Sequence, residues 1–129
     1  MKISTAQAAV ALNALKAAYD NAQLRYYQGT MPASVATGVG SDTLLGTLTM
    51  GSTAFPTTST NTLTANAITQ DSSADATGTI GYAAVFSGST LISLHTVGTS
   101  GAEITVNTLS VVAGLPITMS SFTITQPLQ

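Results

Sequence analysis

Two hydrophobic periods divide this chain. Between Ala6 and Tyr19 apolar residues crowd together without a Gly or Pro, and Leu12, Leu15 and Tyr19 recur at i, i+3 and i+7. That spacing places them on one face of a helix. Ser4 or Thr5 supplies a hydroxyl able to cap the first turn, and Lys2 and Lys16 fall off the stripe. The pattern fades near Asp20-Asn21. From Gln23 onward it gives way to short β-prone runs punctuated by Gly, Pro, Ser and Asn, which read as strands and turns.

Leu24–Gln28 is the first such run, and Met31–Ser41, marked by Pro32, Gly38 and Gly40, is a loop. In Thr43–Met50, strict alternation sets Leu44, Gly46, Leu48 and Met50 against Leu45, Thr47 and Thr49. Gly51–Asn61 is a Thr/Ser-rich loop in which Phe55 should tuck inward as an anchor. Thr62–Thr69 follows, then a polar turn through Asp71, Ser72, Ser73 and Asp75. Thr77–Phe86 puts Ile80, Tyr82, Ala84 and Phe86 on one face, and the hairpin-type turn Ser87-Gly88-Ser89 joins it to Leu91–Val97. Glu103–Asn107, Leu109–Ala113 and Pro116–Thr125 complete the set. The alternation also predicts that Tyr26 and Tyr27 point to opposite faces, so that only one joins the core and the other is left for an interface.

This pattern predicts an all-β fold: an antiparallel, jelly-roll-like β-sandwich of about eight strands preceded by one N-terminal α-helix. The strand count alone also admits an immunoglobulin-like sandwich. The expected division is residues 1–22 as a helical segment and 23–129 as the β domain.

Composition changes the picture by what it withholds. The 129 residues include three basic and five acidic side chains, for a net charge of −2, and no Cys or Trp. Thr at 23 positions and Ser at 14 carry the polarity instead. Clustered Lys or Arg, which phosphate contacts demand, are absent, so a nucleic-acid partner is not expected. No run approaches the roughly eighteen apolar residues of a membrane span, and the opening segment reads as a helix rather than a secretory leader. A surface so poor in charge suits a chain covered by partners in a stable assembly.

Candidate chemistry is sparse. His95 is the one side chain that titrates near neutrality, and it shares a strand face with Leu91, Ser93 and Val97, with no motif naming a nucleophile beside it. Asp71 and Asp75 lie four apart in a single turn, where backbone capping explains them more simply than a cation does. Gly38-Val39-Gly40 and Gly98-Thr99-Ser100-Gly101 lack the Lys and following helix of a phosphate cradle. The expectation is therefore no catalytic, cofactor-binding or metal-ligating residue, no cofactor and no enzymatic activity.

Several short blocks carry a resemblance. Leu24-Arg25-Tyr26-Tyr27-Gln28-Gly29-Thr30-Met31-Pro32-Ala33-Ser34 precedes Thr43-Leu44-Leu45-Gly46-Thr47-Leu48-Thr49. Ala65-Asn66-Ala67-Ile68-Thr69, Asp75-Ala76-Thr77-Gly78-Thr79 and Val97-Gly98-Thr99-Ser100-Gly101-Ala102-Glu103 follow in order. Together they resemble small virion structural proteins of tailed bacteriophages, of the capsid decoration or cement type. The resemblance implies a β-sandwich, often a homotrimer, bound to the major capsid protein lattice on the outer capsid surface. It carries no catalytic residues, and it applies equally to a tail, baseplate or fibre structural module.

Overall fold

The computed structural model describes residues 1–128; Gln129, the last residue of the expected β domain, lies outside the described residues. Ser4 caps the helix α1 (Thr5–Leu15), its side chain accepting from the Gln7 amide at 3.1 Å. The helix then tightens into a 3-10 turn, Lys16–Tyr19, and Asn21 leaves it with φ of 59°. Leu12 and Tyr19 are buried as the spacing predicts, but Leu15 is 43% exposed. The buried stripe runs through Ala8, Ala9 and Leu12.

Ten strands follow among the described residues, where about eight were expected. They are β1 (Gln23–Tyr27), β2 (Leu44–Thr49), β3 (Thr62–Thr64), β4 (Gly78–Thr79), β5 (Tyr82–Ser87), β6 (Thr90–His95), β7 (Val97–Gly98), β8 (Ile104–Thr105), β9 (Ser110–Val111) and β10 (Ser121–Thr125). One sheet has the order β2-β1-β5-β6 and is antiparallel throughout; the other has the order β3-β10-β8-β7, in which only β7–β8 is parallel. A small β4–β9 pair stands apart. The molecule is thus mostly β, with one α-helix among the described residues and no closed barrel. No described helix is long and apolar enough to cross a membrane.

Two bulges correct the predicted faces of the first sheet. Tyr26 pairs with Gly46 and Tyr27 with Leu44, so Leu45 is an extra residue on β2. The bulge turns Leu45 into the main core with Leu48 and Met50 and sends Leu44 to the opposite side, against the alternation that grouped Leu44 with Leu48 and Met50. Likewise Val85 pairs with Ser93 and Phe86 with Leu91, which makes Ile92 extra on β6. Leu91 therefore leaves the face of Ser93 and His95 and packs on the opposite side of the sheet.

That opposite side has a core of its own. Tyr27, Tyr82, Ala84 and Phe86 are buried there, with Val39, Leu44, Leu91 and Leu94 packed against them. Tyr27 and Tyr82 stack with ring centroids 5.5 Å apart and planes 13° apart. Both Tyr26 and Tyr27 are buried, so neither is left for an interface. The main core lies on the other face and takes residues from α1, both sheets and the loop carrying Phe55.

The predicted run Thr77–Phe86 is broken in two. Gly81 passes against the backbone of Gly29 and donates its amide to the Tyr27 carbonyl at 2.9 Å. The break sends Ile80 into the main core, while Tyr82, Ala84 and Phe86 join the second cluster. The runs Thr62–Thr69, Glu103–Asn107, Leu109–Ala113 and Pro116–Thr125 also shorten to β3, β8, β9 and β10. Beyond the strands their amides go to scattered partners instead of one continuous ladder: Asn66 donates to the Ala54 carbonyl and Thr69 to the Thr49 carbonyl.

Candidate functional site

The chemistry-bearing side chains converge where β6 crosses from the first sheet to the second. Ser93 and His95 sit two residues apart on the core-facing side of β6, so the strand's period of two points both inward. The 3-10 turn delivers Tyr19 from one side, and the segment ahead of β8 delivers Glu103 from the other. Tyr19 donates its hydroxyl to Ser93 Oγ at 3.1 Å, Ser93 Oγ lies 2.7 Å from His95 Nε2, and His95 Nδ1 lies 3.3 Å from Glu103 Oε2. Glu103 is fixed in turn by Thr96: its Oε1 accepts from the Thr96 amide, and its own amide donates to Thr96 Oγ1 at 3.1 Å.

One proton assignment satisfies every group. Because Ser93 Oγ accepts from Tyr19, its own hydrogen is free for His95 Nε2. The ring proton then resides on Nδ1 and donates to the Glu103 carboxylate. His95 is neutral in this arrangement. Burial holds its pKa below the ordinary value, opposed by the charge and hydrogen bond of Glu103. Burial likewise raises the Tyr19 pKa, against the Ser93 hydrogen bond.

Aromatic rings close over this chain. Phe122 of β10 meets the His95 ring edge-on at 4.7 Å between centroids, Phe55 meets Phe122 at 5.3 Å, and Tyr19 meets Phe55 at 5.4 Å. Phe55 is the inward anchor expected of its loop. His95 is 4% exposed, and its contacts are those of a satisfied core histidine.

The connectivity Ser93–His95–Glu103 matches that of a hydrolytic triad. Here Ser93 Oγ also accepts the Tyr19 hydroxyl. Sequence reasoning found His95 and put Ser93 on its face without naming it a partner, and it missed Tyr19 and Glu103. Ser93 was legible as an i, i+2 neighbour, but Tyr19, 74 residues from Ser93, was not.

The other candidates lie elsewhere. Asp71 accepts from the Thr47 amide at 2.8 Å and the Ser73 amide at 3.0 Å, which is turn and strand anchoring. Asp75 is exposed, and its backbone amide donates to the Leu45 carbonyl. Among the described residues no group of three His, Asp or Glu side chains forms a metal cage. Gly38, Gly40 and Gly101 have positive φ and serve as turn residues.

The outer surface has its own pattern. The exposed residues of α1 and the 3-10 turn are Thr5, Ala6, Gln7, Val10, Ala11, Ala14, Leu15, Ala17 and Ala18, and none is charged. Val10 is 62% exposed. A surface helix ordinarily sets charged side chains on its solvent face. A second apolar feature is a cavity of about 200 Å³ lined by Ile80, Val111, Leu115 and Ile117 among others. Val112 and Leu115 stand exposed at its rim, and none of the residues of the polar chain lines it.

No protein-family model, curated protein or solved structure matches this chain.

Proposed function

We propose that this chain is a non-catalytic virion structural protein that decorates and stabilises a tailed-phage capsid as a homotrimeric cement protein. In this reading the two four-stranded sheets sharing one core form a jelly-roll-like sandwich. The observation that carries the reading is the outward face of α1, which is mostly apolar, with only Thr5 and Gln7 polar, and bears no charge along about 16 Å of helix. Such a face is unsuited to water and suited to another protein. A protein that binds only the assembled lattice stabilises that lattice by mass action.

Chemistry lends this reading support of its own. The one histidine is enclosed by aromatic rings, and its serine neighbour is engaged by a phenol.

The test is attachment to isolated capsids lacking the protein, measured by co-sedimentation with wild type, Val10→Asp and Leu15→Asp. Both side chains are exposed, so the variants stay folded by circular dichroism. Loss of capsid binding in both supports the reading. Wild-type protein that sediments with tails and not heads replaces it with a tail or baseplate module.

A further inference from the structure

We propose that the Tyr19–Ser93–His95–Glu103 chain is a proton-operated latch that seats the N-terminal segment on the first sheet. It concerns the chain itself and holds whatever assembly the protein joins.

Consider what a second proton on the His95 ring does to the chain. In the neutral form every hydrogen points one way: Tyr19 O–H to Ser93 Oγ, and Ser93 O–H to His95 Nε2, while Nδ1–H turns to Glu103. When solvent protonates Nε2, that nitrogen becomes a donor and must donate to Ser93 Oγ. The Ser93 hydrogen is displaced and turns to the Tyr19 oxygen, the other partner of Ser93 Oγ among the described residues. Tyr19 then becomes the acceptor, and its own hydroxyl hydrogen is left without a partner. The chain has reversed direction, and the deficit falls at its Tyr19 end.

The groups facing His95 decide that the deficit is not relieved locally. The 3-10 turn brings Tyr19, the segment before β8 brings Glu103, β10 brings the uncharged Phe122, and β5 sets Ala83 opposite. Glu103 accepts from Nδ1 in both forms, so it compensates the new charge without changing partner. Its carboxylate is held by Thr96 and is 43% exposed.

The loosened end is a mechanical join. Asn13 and Asp20 tie the N-terminal segment to the 51–61 loop through the Thr58 and Ala54 backbones. Tyr19 carries the side-chain hydrogen bond from that segment to β6. Protonating His95 therefore weakens the hold of the first sheet on the segment that displays the apolar helix face.

The experiment is an NMR pH titration of full-length protein labelled at tyrosine Cζ and histidine Cε1. The Tyr19 Cζ signal should shift with the same midpoint as His95, with Tyr26 unmoved, and the Tyr19–Phe122 ring cross-peak should weaken on the acid side. In His95→Gln, which cannot titrate, Tyr19 should stay flat across that range. In Ser93→Ala, His95 should still titrate while Tyr19 no longer follows it. A Tyr19 signal that ignores the His95 titration in the wild type overturns the latch. So does one that still follows the titration in Ser93→Ala, or still moves in His95→Gln. If one variant fails to fold, the other decides.

Discussion

Gly81 runs so close to Gly29 that a side chain at residue 81 would collide with the Gly29 carbonyl. The approach links the end of β1 to the start of β5 and divides the main core from the Tyr27–Tyr82 cluster. Gly81→Ala must push two backbone segments apart, which costs about 3 kcal/mol. Urea denaturation should show a lower midpoint at unchanged slope, and a midpoint equal to wild type would mean the two segments separate freely.

Tyr26 holds a hydroxyl in the main core with no hydrogen-bond partner among the described residues, and burial raises its pKa. Removing that oxygen removes a desolvation penalty and leaves nothing unpaired. Tyr26→Phe should therefore stabilise the protein by about 1 kcal/mol, read as a higher denaturation midpoint. A loss of stability would reveal a partner for the hydroxyl, such as buried water.

His95 gives stability a pH dependence with a defined sign. Its pKa in the folded chain lies below the ordinary histidine value of about 6.5 because burial disfavours the charged ring. The unfolded chain thus takes the proton first. The contribution is full above about pH 6.5 and is lost progressively as pH falls below it. Thermal scans from pH 8 to pH 5 should show this decline in wild type, and His95→Gln should flatten it. An equal decline in the variant would assign the effect to the carboxylates.

Ser93 should be inert toward electrophiles. A fluorophosphonate probe is expected to leave it unlabelled, because its oxygen is engaged by Tyr19 and its base is packed under Phe122. Stoichiometric labelling at Ser93, detected by mass spectrometry, would establish a working nucleophile and recast the protein as a hydrolase.

Attachment built on an uncharged helix face should resist salt and yield to urea. At about 1 M salt the Debye length is only about 3 Å, so charge pairing is largely screened, whereas urea weakens apolar and peptide contacts together. Particles washed in 1 M salt should retain the protein and release it in urea. Release by salt alone would place the contact on the few charged residues instead.

The sequence disclosed what depends on local pattern. Ser4 as cap, the change of period after Asn21, and Phe55 as the apolar residue of a polar loop were all legible. The faces of Leu45 and Leu91 were not, because each depends on a bulge created by the partner strand. Ile80 was assigned to the wrong cluster because the break at Gly81 follows from a close approach by Gly29, 52 positions earlier in the chain. The burial of both Tyr26 and Tyr27 escaped prediction for a related reason. Alternation implies one wet face, and here the second face is covered by Val39 and Leu44 from distant parts of the chain. Glu103 was invisible as a partner of His95 because the strand changes sheets between them.

The order of the second sheet sets a timetable for the chain. β10 comes last in chain order among the ten described strands, yet it lies inside that sheet, between β3 and β8. It also supplies Phe122 to the aromatic cluster. While synthesis proceeds, no strand yet joins β3 to β8, and the Phe55 ring has Tyr19 but not Phe122 to pack on. The second sheet therefore closes only after β10 is made, and a nascent chain stalled before Ser121 presents bare strand edges to its neighbours.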